Sequence, residues 1–371
     1  MSMNIPLIDL KRQYKKVEKG LIPKLREILS EQKLILGNYC VALEKAIAEF
    51  SGVPYALSCS NGTDALILAL MALDIKRGDE VITTPYTFFS TASSIALLGG
   101  TPVFVDIDGK DMTINPDLIE RAITPKTRAI IVVHLFGKLC DMDRVRKVAE
   151  KHRLAVVEDM AQSLGARRND IASGAFGDIA AASFYPTKNL GGIGEGGMVL
   201  TKRADLFGRA KKLRVHGAGD QAYRHEMIGI NGRLDEIKAC ALAEKLPYLE
   251  GWNRKRIENA LYYNRKLADL PVGLPDTEGK GDHIFHQYVV RVERRDELKA
   301  YLQQKGVQTG IYYPLPLHLQ DCFAYLGYKK GAFKEAELAS LTSLALPIYP
   351  ELKKVEKDYV IASVREFFGA H

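Results

Sequence analysis

The 371 residues are 47% hydrophobic and 26% charged, a balance that suits a soluble globular protein with a large core and excludes a disordered chain. No stretch is long and apolar enough to span a bilayer, and the opening Met1-Ser2-Met3-Asn4-Ile5-Pro6 lacks the basic-then-apolar pattern of a signal peptide, so the chain reads as cytoplasmic with no membrane partner. The net charge of +7 is spread over short groups such as Arg167-Arg168 and Lys211-Lys212-Leu213-Arg214, which argues against nucleic acid; solvated surface charge explains most of it, and the field could also draw in small anions.

From residue 60 the chain alternates between helical and strand patterns. Ser60-Asn61-Gly62-Thr63 precedes a helix predicted over 64–73, then come a strand at 80–83, a helix at 91–98 and a strand at 102–106. A helix at 116–122 starts on Pro116, followed by a strand at 129–134, a helix at 141–152 and a strand at 154–158. Two more strands are expected at 179–184 and 197–201. This is the α/β pattern of a mainly parallel sheet covered on both faces, in which ligands bind at the carboxyl ends of the strands. Asp159, Ser183 and the Asn61-Gly62-Thr63 turn all fall at such ends.

Past about residue 245 the texture changes. Helices at 257–270, 296–305 and 334–341 surround an alternating strand at 287–292, the mark of a smaller α+β domain. The expected division is 1–245 and 246–371, with the first 30 or so residues packing against the second domain or reaching another subunit. Five scattered cysteines with no CxxC and no His/Cys cluster read as reduced thiols, and no metal is expected.

Four pieces carry chemistry. The unpaired amides at a helix opening on Gly62 and Thr63 could hold a phosphate, although Asn-Gly-Thr-Asp is also a plain helix cap. Pro85-Tyr86-Thr87-Phe88-Phe89 puts aromatic faces just past a strand, where they could stack on a planar ring or simply fill the core. Glu158-Asp159 ends an apolar strand with acid, which could keep a pyridine nitrogen protonated or cap a helix. Finally Ser183 offers a hydroxyl and Lys188, before the run Gly191 to Gly197, offers an amine suited to a Schiff base.

Phosphate loop, aromatic, aspartate and lysine, in that order, are what pyridoxal phosphate needs. With Ile8-Asp9-Leu10, Gly78-Asp79-Glu80-Val81-Ile82, Thr187-Lys188, Asn231 to Asp235, Tyr313-Pro314 and His318, the chain resembles the sugar aminotransferases of the DegT/DnrJ/EryC1/StrS group over essentially its whole length. That resemblance implies an aspartate-aminotransferase-like, three-layer large domain with a mainly parallel sheet, a smaller α+β C-terminal domain, and pyridoxal 5'-phosphate as cofactor. It implies that Lys188 carries the cofactor, Asp159 faces the ring nitrogen, Gln162 lies beside the ring hydroxyl and Phe88 stacks on the ring. Gly62, Thr63 and Ser183 would cradle the phosphate, with Asn231 donated by the second subunit of a homodimer. Tyr313, His318 and Arg214 are expected on the substrate side. The implied reaction moves an amino group from an amino acid, glutamate, to a keto sugar of a nucleotide sugar, for cell-surface polysaccharide such as lipopolysaccharide or for a glycosylated metabolite. General likeness leans toward a 3-keto substrate. A dehydratase of the same family would have histidine in place of Lys188; an ordinary amino-acid aminotransferase fits the whole-chain likeness poorly, and a non-catalytic regulator would have no use for Lys188, Asp159 and Gln162 together. Met160 and Arg167-Arg168-Asn169-Asp170 depart from the family pattern.

Overall fold

The computed structural model describes residues 3–277 and 281–369. Its centre is built from short runs of Val, Ile, Ala and Leu: β1 (Tyr55–Cys59), β2 (Glu80–Thr83), β3 (Thr101–Phe104), β4 (Thr127–Val133) and β5 (Ala155–Asp159). A two-residue hairpin, β6 (Arg167–Arg168) and β7 (Ile171–Ala172), precedes β8 (Ile179–Ser183) and β9 (Gly197–Thr201). Seven of these strands form one sheet in the order β1-β9-β8-β5-β4-β2-β3, and only β9 runs against the rest.

The strands are apolar on both sides because both faces are covered. Ile131, Val157, Ile179 and Val199 pack with Leu66, Leu68 and Leu70 of helix Gly62–Ala72 and with Leu206 of helix Ala204–Leu213. Their neighbours Ile130, Val132 and Val156 point the other way, onto Met142, Val145 and Ala149 of helix Met142–His152. This alternation puts consecutive strand residues to opposite uses, which matters at Glu158 and Asp159.

A second core gathers around the antiparallel pair β10 (Tyr288–Arg291) and β11 (Ser343–Leu346). Helices Leu249–Leu267, Arg295–Gln304 and Lys354–Phe367 contribute Tyr263, Leu298, Leu302, Val360 and Val364 to it. Ile5 belongs to the same core and bridges Val307. Helix Leu10–Glu31 is tied at one end by Arg12 to Glu356 and at the other by Lys24 to Glu244, at 2.6 Å each. The N-terminal segment thus packs with both cores.

Most predicted elements are found within two residues. The helix expected at 116–122 is a single α turn, Pro116–Ile119, continued as a 3-10 turn, and the one expected at 257–270 begins earlier, at Leu249. Helices Leu10–Glu31, Asn38–Ser51, Ala204–Leu213 and Glu236–Lys245, with β1, β11 and the β6–β7 hairpin, were outside the predicted set. Helix Asn38–Ser51 packs on the neighbouring β1, whereas helix Glu236–Lys245 packs between helices Leu10–Glu31 and Asn38–Ser51, far away in sequence, so its pattern is not a simple two-sided one. Among the described residues no three His, Cys, Asp or Glu side chains gather as a metal site, and no helix is long and apolar enough to cross a membrane.

Candidate active site

The carboxyl ends of β1, β2, β4, β5 and β8 open on one edge of the sheet. Asp159 is the last residue of β5 and no helix follows it, so it caps nothing. It is buried; its Oδ2 accepts from the Thr91 hydroxyl at 2.7 Å and its Oδ1 from the Ala161 N–H at 3.2 Å. Burial raises its carboxyl above the ordinary aspartate value, opposed by Thr91, the Ala161 amide and the positive field of Lys188.

Lys188 lies in the turn after β8, its N–H bonded to the Tyr185 carbonyl at 2.8 Å. Its side chain is half-buried. Enclosure by protein lowers its ammonium to about 8, and Asp159 is the group that pulls the other way. A good fraction of this amine is therefore neutral near pH 8, the state that attacks a carbonyl.

Ser183 ends β8 two strands away from Cys59, with Gly197 of β9 in register between them. A Cβ at Gly197 would fall 2.2 Å from the Asn61 carbonyl oxygen, so glycine there lets the 60–62 turn settle onto the sheet. Asn61 caps helix Gly62–Ala72 by accepting the Asp64 N–H at 2.8 Å, leaving the Gly62 and Thr63 amides at the open end. A Cβ at Gly62 would lie 2.6 Å from Ser183 Cβ, so helix start and serine close on each other only because residue 62 has no side chain. Thr63 Oγ1 and Ser90 Oγ are 2.7 Å apart. This cradle has the donors and the positive helix end that fit a phosphate.

Gln162 accepts the Phe136 N–H at 2.6 Å and donates to the Tyr313 hydroxyl at 3.3 Å. Of the three aromatics after β2, Tyr86 is core, its hydroxyl donating to the Tyr312 carbonyl at 2.6 Å, and Phe89 leans on Phe323. Phe88 is 56% exposed beside Tyr313, with ring centroids 6.2 Å apart. Asn231 is exposed, its Oδ1 taking the Arg233 Nε–H at 3.0 Å, while the Gly232 carbonyl accepts the Ser60 N–H at 3.0 Å.

Two expected substrate residues lie inside the fold. Arg214 is 6% exposed, and its Nη1 donates to Glu44 at 2.7 Å and to the Ser58 carbonyl at 2.8 Å. It ties helix Ala204–Leu213 to helix Asn38–Ser51 and β1. His318 is likewise packed away, bonded through Nε2 to Glu337 at 3.0 Å and edge-on to Phe333. The two departures from the family pattern have local explanations. Met160 fills the space that Gly174 leaves, and Arg168 of the β6–β7 hairpin donates to Asp282 at 3.2 Å.

Sequence reasoning missed Thr91 and Ser90, hydroxyls in the first turn of helix Ser90–Leu97. It also missed the role of Glu158. Strand alternation turns this carboxylate inward, where it accepts from His134 Nε2 at 2.9 Å and from the N–H groups of Gly174, Phe176 and Gly177 at 2.7–2.9 Å. His134 Nδ1 accepts the Cys140 N–H, so the ring proton is on Nε2. Burial would raise Glu158, but His134 and the Gly177 and Gly174 amides outweigh it and hold it below the ordinary value. Two adjacent acids ending a strand were the available signal.

A half-buried lysine with a lowered pKa, facing a buried aspartate beside an anion cradle on such a sheet, defines a pyridoxal-phosphate-dependent transferase. The chain belongs to the DegT/DnrJ/EryC1/StrS aminotransferase family, whose profile matches residues 15–365. Its fold superposes on the crystal structure of S. venezuelae DesV in complex with a ketimine intermediate, with a TM-score of 0.95, 39% identity and 98% of each chain covered. A UDP-N-acetyl-3-dehydro-alpha-D-glucosamine 3-aminotransferase of Acidithiobacillus ferrooxidans is 40% identical over 97% of each chain. A protein of Geobacillus stearothermophilus named pleiotropic regulatory protein is 45% identical over 99% of each chain. The protein is thus an aminotransferase with pyridoxal 5'-phosphate as cofactor.

Proposed function

We propose that the protein transfers an amino group from an amino acid, glutamate, to the keto group of a nucleoside-diphosphate sugar, within amino-sugar biosynthesis for a cell-surface polysaccharide or a glycosylated metabolite in the cytoplasm. The observation that carries this reading is Lys188 opposite Asp159, with the Gly62–Ser183 cradle beside them. When bound, the cofactor supplies an electron sink and a temporary seat for the amino group. Gly62, Thr63 and Ser183 would hold its phosphate, Phe88 and Gln162 would lie by its ring, and Asp159 would keep a proton on the ring nitrogen. Lys188 would hold the cofactor and, as a neutral amine, could take up and return a proton beside it. Tyr313 borders the space left for the sugar. In this reading 1–245 forms the cofactor domain and 246–371 the smaller one.

The A. ferrooxidans relative is named for a 3-dehydro sugar, which supports a 3-keto substrate here. Lys188 favours transfer over a dehydratase. The regulatory name of the G. stearothermophilus relative supports a second reading, a sensor without turnover. UDP- and dTDP-linked 3-keto and 4-keto sugars, each offered with glutamate and followed by mass spectrometry, separate these. An amino sugar from a 3-keto member is expected; no amino sugar from any member overturns the proposal. Borohydride reduction and peptide mapping should place the label on Lys188, and a label on Lys138, Lys202 or Lys211 would sink that assignment.

The proposal includes a homodimer with shared sites, because Gly62, Thr63 and Ser183 leave one side of a phosphate for Asn231 of a second subunit. Mixing an Asn231→Ala chain with a Lys188→Ala chain gives heterodimers with one intact site if Asn231 acts across the interface. Activity should recover toward about half of wild type, since one of two equivalent sites is whole. No recovery after verified exchange, or a monomer by light scattering, refutes the shared site.

A further inference from the structure

Asn189, the residue after Lys188, is buried and belongs to none of the groups above. Its Nδ2–H donates to Asn253 Oδ1 at 2.7 Å, and its Oδ1 lies 3.0 Å from His286 Nδ1. Asn253, on helix Leu249–Leu267, donates its own Nδ2–H to the Leu164 carbonyl at 3.0 Å. Asn189, Asn253 and His286 are 4%, 4% and 7% exposed, so these bonds are their means of satisfaction.

The chain of donors has one orientation. A backbone carbonyl only accepts, and it cannot be turned end for end. Leu164 therefore orients the Asn253 amide, Asn253 Oδ1 orients the Asn189 amide, and Asn189 Oδ1 requires a proton from His286. That proton is on Nδ1, and Nε2 keeps its lone pair. A second proton is opposed: burial holds His286 well below the ordinary histidine value, and the two cations acting on it, Lys188 and Arg256, push the same way. Arg256 also grips the carbonyls of Phe285 and His286 at 3.3 and 3.2 Å, which pins the imidazole's backbone.

The turn that carries Lys188 is held elsewhere too, by the Lys188 N–H on Tyr185 and by Lys245 Nζ on the Gly191 carbonyl at 2.6 Å. Between these points Asn189 is its side-chain anchor. We infer that His286 and Asn253, acting through Asn189, are positioning residues that hold the Lys188 turn from behind and keep the amine enclosed opposite Asp159. The inference rests on Lys188 as the cofactor lysine. Without a donor at 286, Asn189 Oδ1 is left unpaired in the interior and the turn loosens to hydrate it. Lys188 then gains further exposure to water and its basicity moves toward the ordinary value, with Asp159 and the His286 position as the groups facing it.

The test uses the full chain with cofactor removed, following Lys188 acetylation against pH by peptide mass spectrometry. Wild type should show a midpoint at about 8. His286→Leu and Asn189→Ala should move it up by about one unit or more, toward the free lysine value of about 10.4. His286→Asn, which keeps an N–H near the Nδ1 position, should stay with wild type. A wild-type midpoint in His286→Leu overturns the inference, and so does an equal shift in His286→Leu and His286→Asn. Should His286→Leu not fold, nitrogen NMR of histidine-labelled wild type decides: Nδ1 protonated and no titration through neutral pH is expected, and a proton on Nε2 or an imidazolium overturns it. These readings need no cofactor. A borohydride label on another lysine would therefore remove the proposed function, and with it the purpose of this positioning, without changing the measured midpoints, while an unmoved midpoint with the label on Lys188 would overturn the positioning alone.

Discussion

At Asp159 both carboxylate oxygens already have protein partners, Thr91 and the Ala161 amide, which hold the group still as well as buried. An amide of the same shape would keep the packing and lose the charge. Asp159→Asn should retain the cofactor and lose turnover by at least about tenfold, because a charge-assisted contact is worth roughly 1.5–3 kcal/mol and about 1.4 kcal/mol is a factor of ten in rate. Steady-state kinetics with saturating cofactor checks this, and unchanged turnover would remove the role. Lys188 gives a pH prediction of definite sign. Its protonated form is disfavoured in the fold, so the reactive neutral amine grows as pH rises through about 8. The rate of cofactor uptake by the cofactor-free protein should rise through that point and level above it. A rate still climbing near pH 10, at about the free lysine value, would mean that enclosure does not lower this amine.

Strands and helices set these side chains by their ends. Alternation at the end of β5 sends Asp159 to the open edge and Glu158 into the interior, where four donors hold it. Because Glu158 is depressed, its contribution is present above the ordinary glutamate range and is lost only as pH falls through its lower folded value. Arg214 does similar work between helices. Arg214→Leu should cost roughly 1–3 kcal/mol, read as a lower urea midpoint, since it leaves Glu44 and the Ser58 carbonyl short of a donor. The KM values for both substrates should not change, and a selective rise in the sugar KM would restore Arg214 to the substrate side.

Across the whole molecule the two cores meet along an apolar seam, where Tyr86, Phe104 and Leu135 pack with Val289, Phe333 and Ala339, and polar ties cross it. Asp106, just past β3, accepts the Glu335 and Ala336 N–H groups at 3.0 Å each, capping helix Lys334–Thr342 from the other core. Arg291 of β10 donates to the Gly109 carbonyl at 2.6 Å. Asp106→Ala should cost about 1–2 kcal/mol, the usual value of a lost helix cap. Hydrogen exchange should show the loss concentrated in residues 334–342, and protection unchanged there would mean that the cap does not hold this helix to the sheet.

Order along the chain was enough for the class of chemistry. A phosphate-type helix start, an aromatic, an acid and a lysine, each at a strand end, are local patterns, and local patterns are written in consecutive residues. Local polarity could not separate Arg214 and His318, which fold inward, from Phe88, which stands out, because burial depends on residues far away in sequence. Tyr86 and Phe88 are two positions apart and equally aromatic, yet one bonds the Tyr312 carbonyl and the other faces the open edge. The hydroxyl of Thr91 on Asp159, and the Asn189–His286 pair behind Lys188, span 68 and 97 residues. Contacts of that range exist only once the sheet has assembled, so the residues that hold the acid and the lysine in place were decided by the tertiary structure alone.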